Sequence, residues 1–388
     1  MKNCTGLQYL DLGLNSFSGP VPDLSPLNEL KFLSLNSSGF SGHFPWKSLE
    51  NLKELTFLSL GDNPFASSPF PQIPEGIHNL TRLRNLELAD NTLSGPIPAG
   101  IIQLVKLWQL QLYNNSLSGN LPVGFGNLTS LVNFDASMNM LRGKLSEPRS
   151  LNNLASLQLF ENHFSGEIPE EFGEFKYLVE LSLYRNNLSR RIPPRIGSWS
   201  DFIFIDDSEN FLTGPIPPDM CKIGKMVKLL LQNNLTGTIP ESYANCKSLA
   251  RFRVNNNSLF GIVLAGIWSL PNLALIDLTM NQFEGPVTGD IGNAKSLAQL
   301  LLSNNRFSGE LPASISKASS LVSIHVSSNQ FSGQIPVTIG ELKSLGCLYL
   351  DGCYMFVKVR KTNLNHPLKQ GSWEKKSVQA QIFPGPIN

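Results

Sequence analysis

The sequence predicts an α/β solenoid, curved, with a parallel sheet along its concave side. Two observations predict it. The run Leu83, Leu86, Leu88, Asn91, Leu93, Gly95, Ile97 and Pro98 recurs as Leu107, Leu110, Leu112, Asn115, Leu117, Gly119, Leu121 and Pro122, a shift of 24 residues. One column of that template reads Asn15, Ser38, Asn63, Asn91, Asn115, Asn139, Asn162, Asn186, Asn210, Asn233, Asn257, Asn281, Asn305 and Asn329, and Cys353 holds it in a last, broken copy. A chain that repeats one unit this often stacks it, because no single coil can bury its own apolar face.

Each coil starts with x-L-x-L-x. Its leucines alternate, so they line one side of a short strand while the x residues line the other. The asparagine follows where the chain turns off the strand. Its amide both donates and accepts, so it can serve backbone groups of neighbouring turns that would otherwise be buried and unpaired. Ser38 and Cys353 can do part of that work. The next leucine or phenylalanine (Phe17, Leu117, Phe164, Phe307, Phe331) packs inward beneath the turn. Gly-x-Ile-Pro then allows a sharp bend and an extended segment lacking one donor. The remainder, such as 99–105, reads as a short helical turn on the convex side.

The repeat assigns residues 1–353 to the solenoid and 354–388 to a non-repeat, flexible tail rich in Lys, Pro and Gly. Coil three carries extra residues around Ala66 to Phe70, read as a surface bulge; the coil around Lys225 to Asn233 is one residue short; Arg190 stands where other coils have glycine. Met1 leads directly into mid-repeat residues, with no secretory leader ahead of them, and the repeat stops after Cys353, so the reading expects a chain truncated at both ends.

Lys plus Arg is 31 and Asp plus Glu 30, a net +1 that disfavours nucleic acid as a partner. No stretch approaches the ~20 apolar residues of a membrane span. There is no phosphate loop, His-Glu-x-x-His, Gly-x-Ser-x-Gly elbow, Cys-x-x-Cys pair or kinase signature, and the five histidines are scattered over different coils. The expectation is a non-enzyme without cofactor or metal. Cys221 and Cys246 lie in consecutive coils and suit either a disulfide staple or two small convex-side residues. Asn-x-Ser/Thr occurs at Asn3, Asn36, Asn79, Asn114, Asn127, Asn187, Asn234 and Asn256, which points to glycosylation, with Asn79 and Asn127 the preferred sites.

Function is expected on the concave face, where two residues per strand project outward. The lining is mixed polar and aromatic, including Phe160, Tyr184, Asp206 and Asp277 as expected ligand-binding residues, and suits an extended peptide. Arg251 and Arg253 lie two apart on Leu249-Ala-Arg-Phe-Arg-Val254, so both guanidiniums project from one face. A carboxylate is their natural match, because planar guanidinium donors grip it in a fork. Two solvated arginines partly offset by Asp277 and Asp206 is the bland alternative.

The Leu-x-Gly-x-Ile-Pro segment resembles the hallmark of plant-specific leucine-rich repeats, over residues 4 to about 353. Cys246 to Val254 (Cys-Lys-Ser-Leu-Ala-Arg-Phe-Arg-Val) is similar to the Arg-x-Arg coil of plant receptor kinases of the HAESA, CLAVATA-peptide and HAIKU-like clade. The resemblance implies a peptide-hormone-binding ectodomain in which Arg251 and Arg253 take the ligand's free C-terminal carboxylate. It also implies a shorter repeat co-receptor kinase as second partner and an extracellular, plasma-membrane setting for the full-length relative. The alternatives are a secreted inhibitor of microbial wall-degrading enzymes and a non-signalling decoy or fragment.

Overall fold

The computed structural model describes residues 4–63, 65 and 72–356, in two compact units that divide between Leu212 and Thr213. Asn3, the 66–70 stretch and the expected tail from residue 357 on lie outside the described residues.

In the first unit, three-residue strands pair in parallel in chain order: Tyr9–Asp11, Phe32–Ser34, Phe57–Ser59, Asn85–Glu87, Gln109–Gln111, Asn133–Asp135, Ser156–Gln158, Glu180–Ser182 and Phe204–Asp206. In the second unit the order is Lys228–Leu230, Arg251–Arg253, Leu275–Asp277, Gln299–Leu301, Ser323–His325 and Cys347–Tyr349. The strands are short because each contributes one inward residue between two outward ones. Those inward residues stay in register, Leu86 on Leu110 on Phe134 in one unit and Phe252 on Ile276 on Leu300 in the other. All six are buried, so the apolar core of each unit is a column of like side chains.

The asparagines build a second column. Asn139 Nδ2 donates to Leu112 O of the preceding coil at 2.9 Å and to Ala136 O and Ser137 O of its own, while its Oδ1 accepts from Leu117 N. Asn281 repeats this with Val254 O, Leu278 O, Thr279 O and Leu259 N. Each amide thus ties two coils through backbone groups that water cannot reach. Ser38 Oγ replaces it with bonds to Leu12 O and Asn36 O, and Cys353 Sγ with one to Val326 O at 3.2 Å.

Beyond the asparagine the chain does more than turn. The x-Leu-x-Gly segments form a second parallel sheet, which the repeat template did not announce: Ser118 pairs with Met140 and Gly119 with Leu141 in the first unit, and Thr236 with Ser258 in the second. The repeat geometry also outlasts Cys353, since Tyr354–Phe356 pairs with Ser332, Gly333 and Gln334. The convex-side turns are 3-10 helices such as Ala99–Gln103 and Ala313–Lys317, with one α-helical turn among the described residues, at Ala265–Trp268.

Two backbone columns have positive φ. One is the residue before the asparagine, including Met138 (φ 54), Arg185 (φ 56) and Met280 (φ 56), none of which favours that region intrinsically. The other is the glycine column, from Gly95 (φ 74) to Gly333 (φ 78), in which Arg190 holds φ 72. The coil imposes both, overriding local preference at Arg190 in particular.

Candidate functional site

The expected ligand-binding residues fall into two groups, one in each unit. In the second unit, Phe252 is buried between Arg251 and Arg253, so the strand pins both arginines to the same exposed face. Beneath it the support is stiff. Phe252 stacks on Tyr243 with ring centroids 6.2 Å apart and an interplanar angle of 9°. The Tyr243 hydroxyl donates to Pro217 O at 2.8 Å, and full burial pushes its phenol far up from its ordinary value. Three residues on, Cys246 is disulfide-bonded to Cys221, with Cα atoms 5.8 Å apart. The strand that presents the guanidiniums is therefore backed by an aromatic stack and a covalent staple, the kind of support that holds a binding group in place.

The two arginines differ. Arg253 Nε donates to Asp277 Oδ2 at 3.3 Å, in the register-paired position of the next strand. Arg251 makes no ion pair among the described residues. Asp277 itself is only 5% exposed, and its Oδ1 accepts from Thr279 N at 3.1 Å and Thr279 Oγ1 at 2.6 Å. This corrects the expectation that Asp277 faces a ligand. It lies under the surface, its oxygens are engaged by its own coil and by Arg253, and it orients that arginine. The contact uses Nε alone, and half of the Arg253 side chain remains open to solvent.

Lys228 stands in register with Arg251 on the preceding strand and adds positive charge there. It escaped the sequence reading because its coil is one residue short, although Leu229 and Leu231 carry the strand signal.

In the first unit, Phe160 and Tyr184 are half-buried. The Tyr184 hydroxyl donates to Glu209 Oε1 at 3.3 Å, and its phenol is raised, first by desolvation and then by the Glu209 charge. Arg185 beside it lies between Glu161 (3.6 Å) and Glu209 (3.7 Å). Asp206 Oδ1 accepts from Ser208 N at 3.1 Å, the same local cap that Asp277 makes with Thr279. Of the glycosylation sites, Asn114, Asn127, Asn187, Asn234 and Asn256 are exposed, whereas Asn36 and Asn79 are half-buried. No helix among the described residues is long and apolar enough to cross a membrane.

The repeat chain is similar to known proteins. The leucine-rich repeat region family matches residues 14–165, and the leucine-rich repeat family matches 177–199, 296–318 and 320–342. Two Arabidopsis thaliana proteins, receptor-like protein kinase HAIKU2 and receptor-like protein kinase 7, are each 58% identical over 97 residues, covering 25% of this chain and 10% of the relative. The Arabidopsis receptor kinase HAESA, solved with the peptide hormone IDA and the co-receptor SERK1, superposes with a TM-score of 0.86 at 39% identity, covering 90% of this chain and 58% of that one. The plant peptide hormone receptor RGFR1, solved with RGF2, superposes at 0.82 and 30% identity over 92% and 60% of the two chains. The alignments thus span a tenth of the curated relatives and under two thirds of the solved receptors.

Proposed function

Because the chain is a leucine-rich-repeat solenoid related to the ectodomains of plant receptor-like kinases, we propose that it binds an extracellular peptide through a free C-terminal carboxylate held by Arg251 and Arg253. One observation carries the reading. Two guanidiniums share one exposed face, and among the described residues the one acid engaged by either, Asp277, is buried and takes a single nitrogen. Two adjacent cations repel, and a ligand carboxylate relieves that repulsion with charge-assisted hydrogen bonds. The rigid backing of the strand by Phe252, Tyr243 and the disulfide fixes the fork before the ligand arrives, which lowers the ordering cost of binding.

In the first unit, Phe160 and Tyr184 offer half-buried aromatic surface of the kind that contacts peptide side chains. HAESA was solved with both a peptide hormone and a co-receptor. A shorter repeat co-receptor kinase is accordingly the second partner in this proposal, and the setting is extracellular.

The test is a selection from a random dodecapeptide library, tethered by its N-terminus and free at its C-terminus. The expected result is enrichment of binders by the wild-type protein and none by Arg251→Ala/Arg253→Ala. Both substitutions sit on exposed positions, and a thermal melt of the variant checks that it is folded before selection. Equal enrichment by the two proteins would remove the arginines from the site.

A further inference from the structure

We propose that a cavity in the first unit binds a small, flat, largely apolar molecule of about two fused rings that carries one hydrogen-bond donor. The site is separate from the arginine pair and does not depend on it.

The asparagine column shows where the site arises. In the coils that follow, the column asparagine accepts through Oδ1 from the backbone N–H two places past the preceding column residue. Asn115 takes Leu93 N and Asn139 takes Leu117 N, each at 2.9 Å. The corresponding donor for Asn91 is Phe65 N, two places past Asn63. Phe65 N instead donates to Asn63 O within its own coil, just before that coil's extra residues begin. Asn91 Oδ1 is buried with no partner among the described residues, and so is Ser94 Oγ three places on. The Asn91 Nδ2 group is engaged, donating to Leu60 O, Leu88 O and Ala89 O. An acceptor is therefore what this side chain has left to offer.

Asn91 borders a cavity of about 230 Å³ whose walls are mostly apolar, with Phe44, Trp46, Leu60, Phe65, Leu88 and Leu93 among them. Phe44 ties the aromatic side together. Its ring meets Trp46 edge-on with centroids 4.8 Å apart, and Phe65 edge-on at 5.6 Å. An apolar cavity of ~150 Å³ takes one benzene ring, so this one has room for a second, fused ring. A ligand N–H or O–H placed on Asn91 Oδ1 supplies the missing bond, whereas a ligand oxygen without a proton leaves both acceptors unsatisfied. Further polar groups on the ligand would be desolvated against the apolar walls without partners.

The test titrates the wild-type protein by calorimetry with indole and with benzofuran, the isostere in which oxygen replaces the N–H. Indole is expected to bind about tenfold more tightly, equivalent to about 1.4 kcal/mol. Leu93→Phe fills the cavity and should weaken indole binding at least tenfold. Phe164, Phe307 and Phe331 are buried in the same column, so the repeat accepts phenylalanine there, and a thermal melt checks the variant's fold. Gln72→Trp, at an exposed position that also lines the cavity, is a second blocking variant and should act alike. Benzofuran binding as tightly as indole, indole binding unchanged in both variants, or no binding of either molecule to the wild-type protein overturns the inference.

Discussion

Two aspartates, one in each unit, occupy the same place in the repeat and do different work. Asp135 and Asp277 both end a strand, and both cap their own turn. Asp135 Oδ1 accepts from Ser137 N at 3.0 Å and Ser137 Oγ at 2.6 Å, and Asp277 Oδ1 accepts from Thr279 N and Oγ1 at 3.1 and 2.6 Å. The difference is next door. Asp135 is in register with Gln111 and Gln158, whereas Asp277 is in register with Arg253 and Leu301. Burial therefore pushes the Asp135 carboxyl up against the opposing effect of its Ser137 bonds, while Asp277 has a guanidinium to face. The cap belongs to the coil. Function enters through what the adjacent coil places beside it, and in the second unit that is an arginine stiffly backed from below.

The largest expected effect concerns that backing. Replacing Cys221 and Cys246 by serine opens a loop with a sequence separation of 25 and should cost about 3–4 kcal/mol of stability, measured by denaturant unfolding. The first unit contains no disulfide among its described residues, so a probe placed there should report a smaller change. Equal loss in both units would mean that the staple supports the whole chain and not this strand.

Next comes the pair of aspartates, where the signs should oppose. Asp277→Asn removes the charge facing Arg253 and should destabilise by about 1–2 kcal/mol. Asp135→Asn should stabilise at neutral pH. The sign follows from linkage: a carboxyl raised in the folded state lowers stability as pH climbs through its folded value, and that loss is absent below the ordinary carboxylate range. The gain from Asp135→Asn should therefore fade on acidification. Thermal melts of both variants between pH 3 and pH 7 check this, and a gain in both would erase the distinction between the two sites.

The smallest effect lies at the first unit's own departure from the repeat. Arg190 has φ 72 in a column that between Gly95 and Gly333 is glycine in every other coil, so Arg190→Gly should stabilise by about 1 kcal/mol. A loss instead would show that the arginine side chain makes up for its backbone strain.

Much of this was legible in the sequence, for reasons that particular residues make plain. The alternation of Arg251, Phe252, Arg253 and Val254 fixes which side chains face out, because a strand has period two. The asparagine column fixes the turn, because few residues can donate and accept at once in a confined space. Depth was not legible. Asp277 reads as an outward residue, and it is one by phase, but it is buried between strands whose register partners are Arg253 and Leu301. The Tyr243–Phe252 stack was hidden for a different reason: it joins a 3-10 turn to the strand that follows it, a contact that alternation within the strand does not announce. Properties set within one coil can be read from the chain, whereas those set between coils depend on the sizes of residues 23 to 25 positions away.

The central claim is that Arg251 and Arg253 hold a carboxylate. A double-mutant cycle tests it most directly, pairing amidation of a selected peptide's C-terminus with Arg251→Ala/Arg253→Ala and reading all four affinities by calorimetry. The account predicts that amidation weakens binding at least tenfold in the wild-type protein and leaves the variant's residual affinity almost unchanged. An equal penalty in both proteins would contradict it.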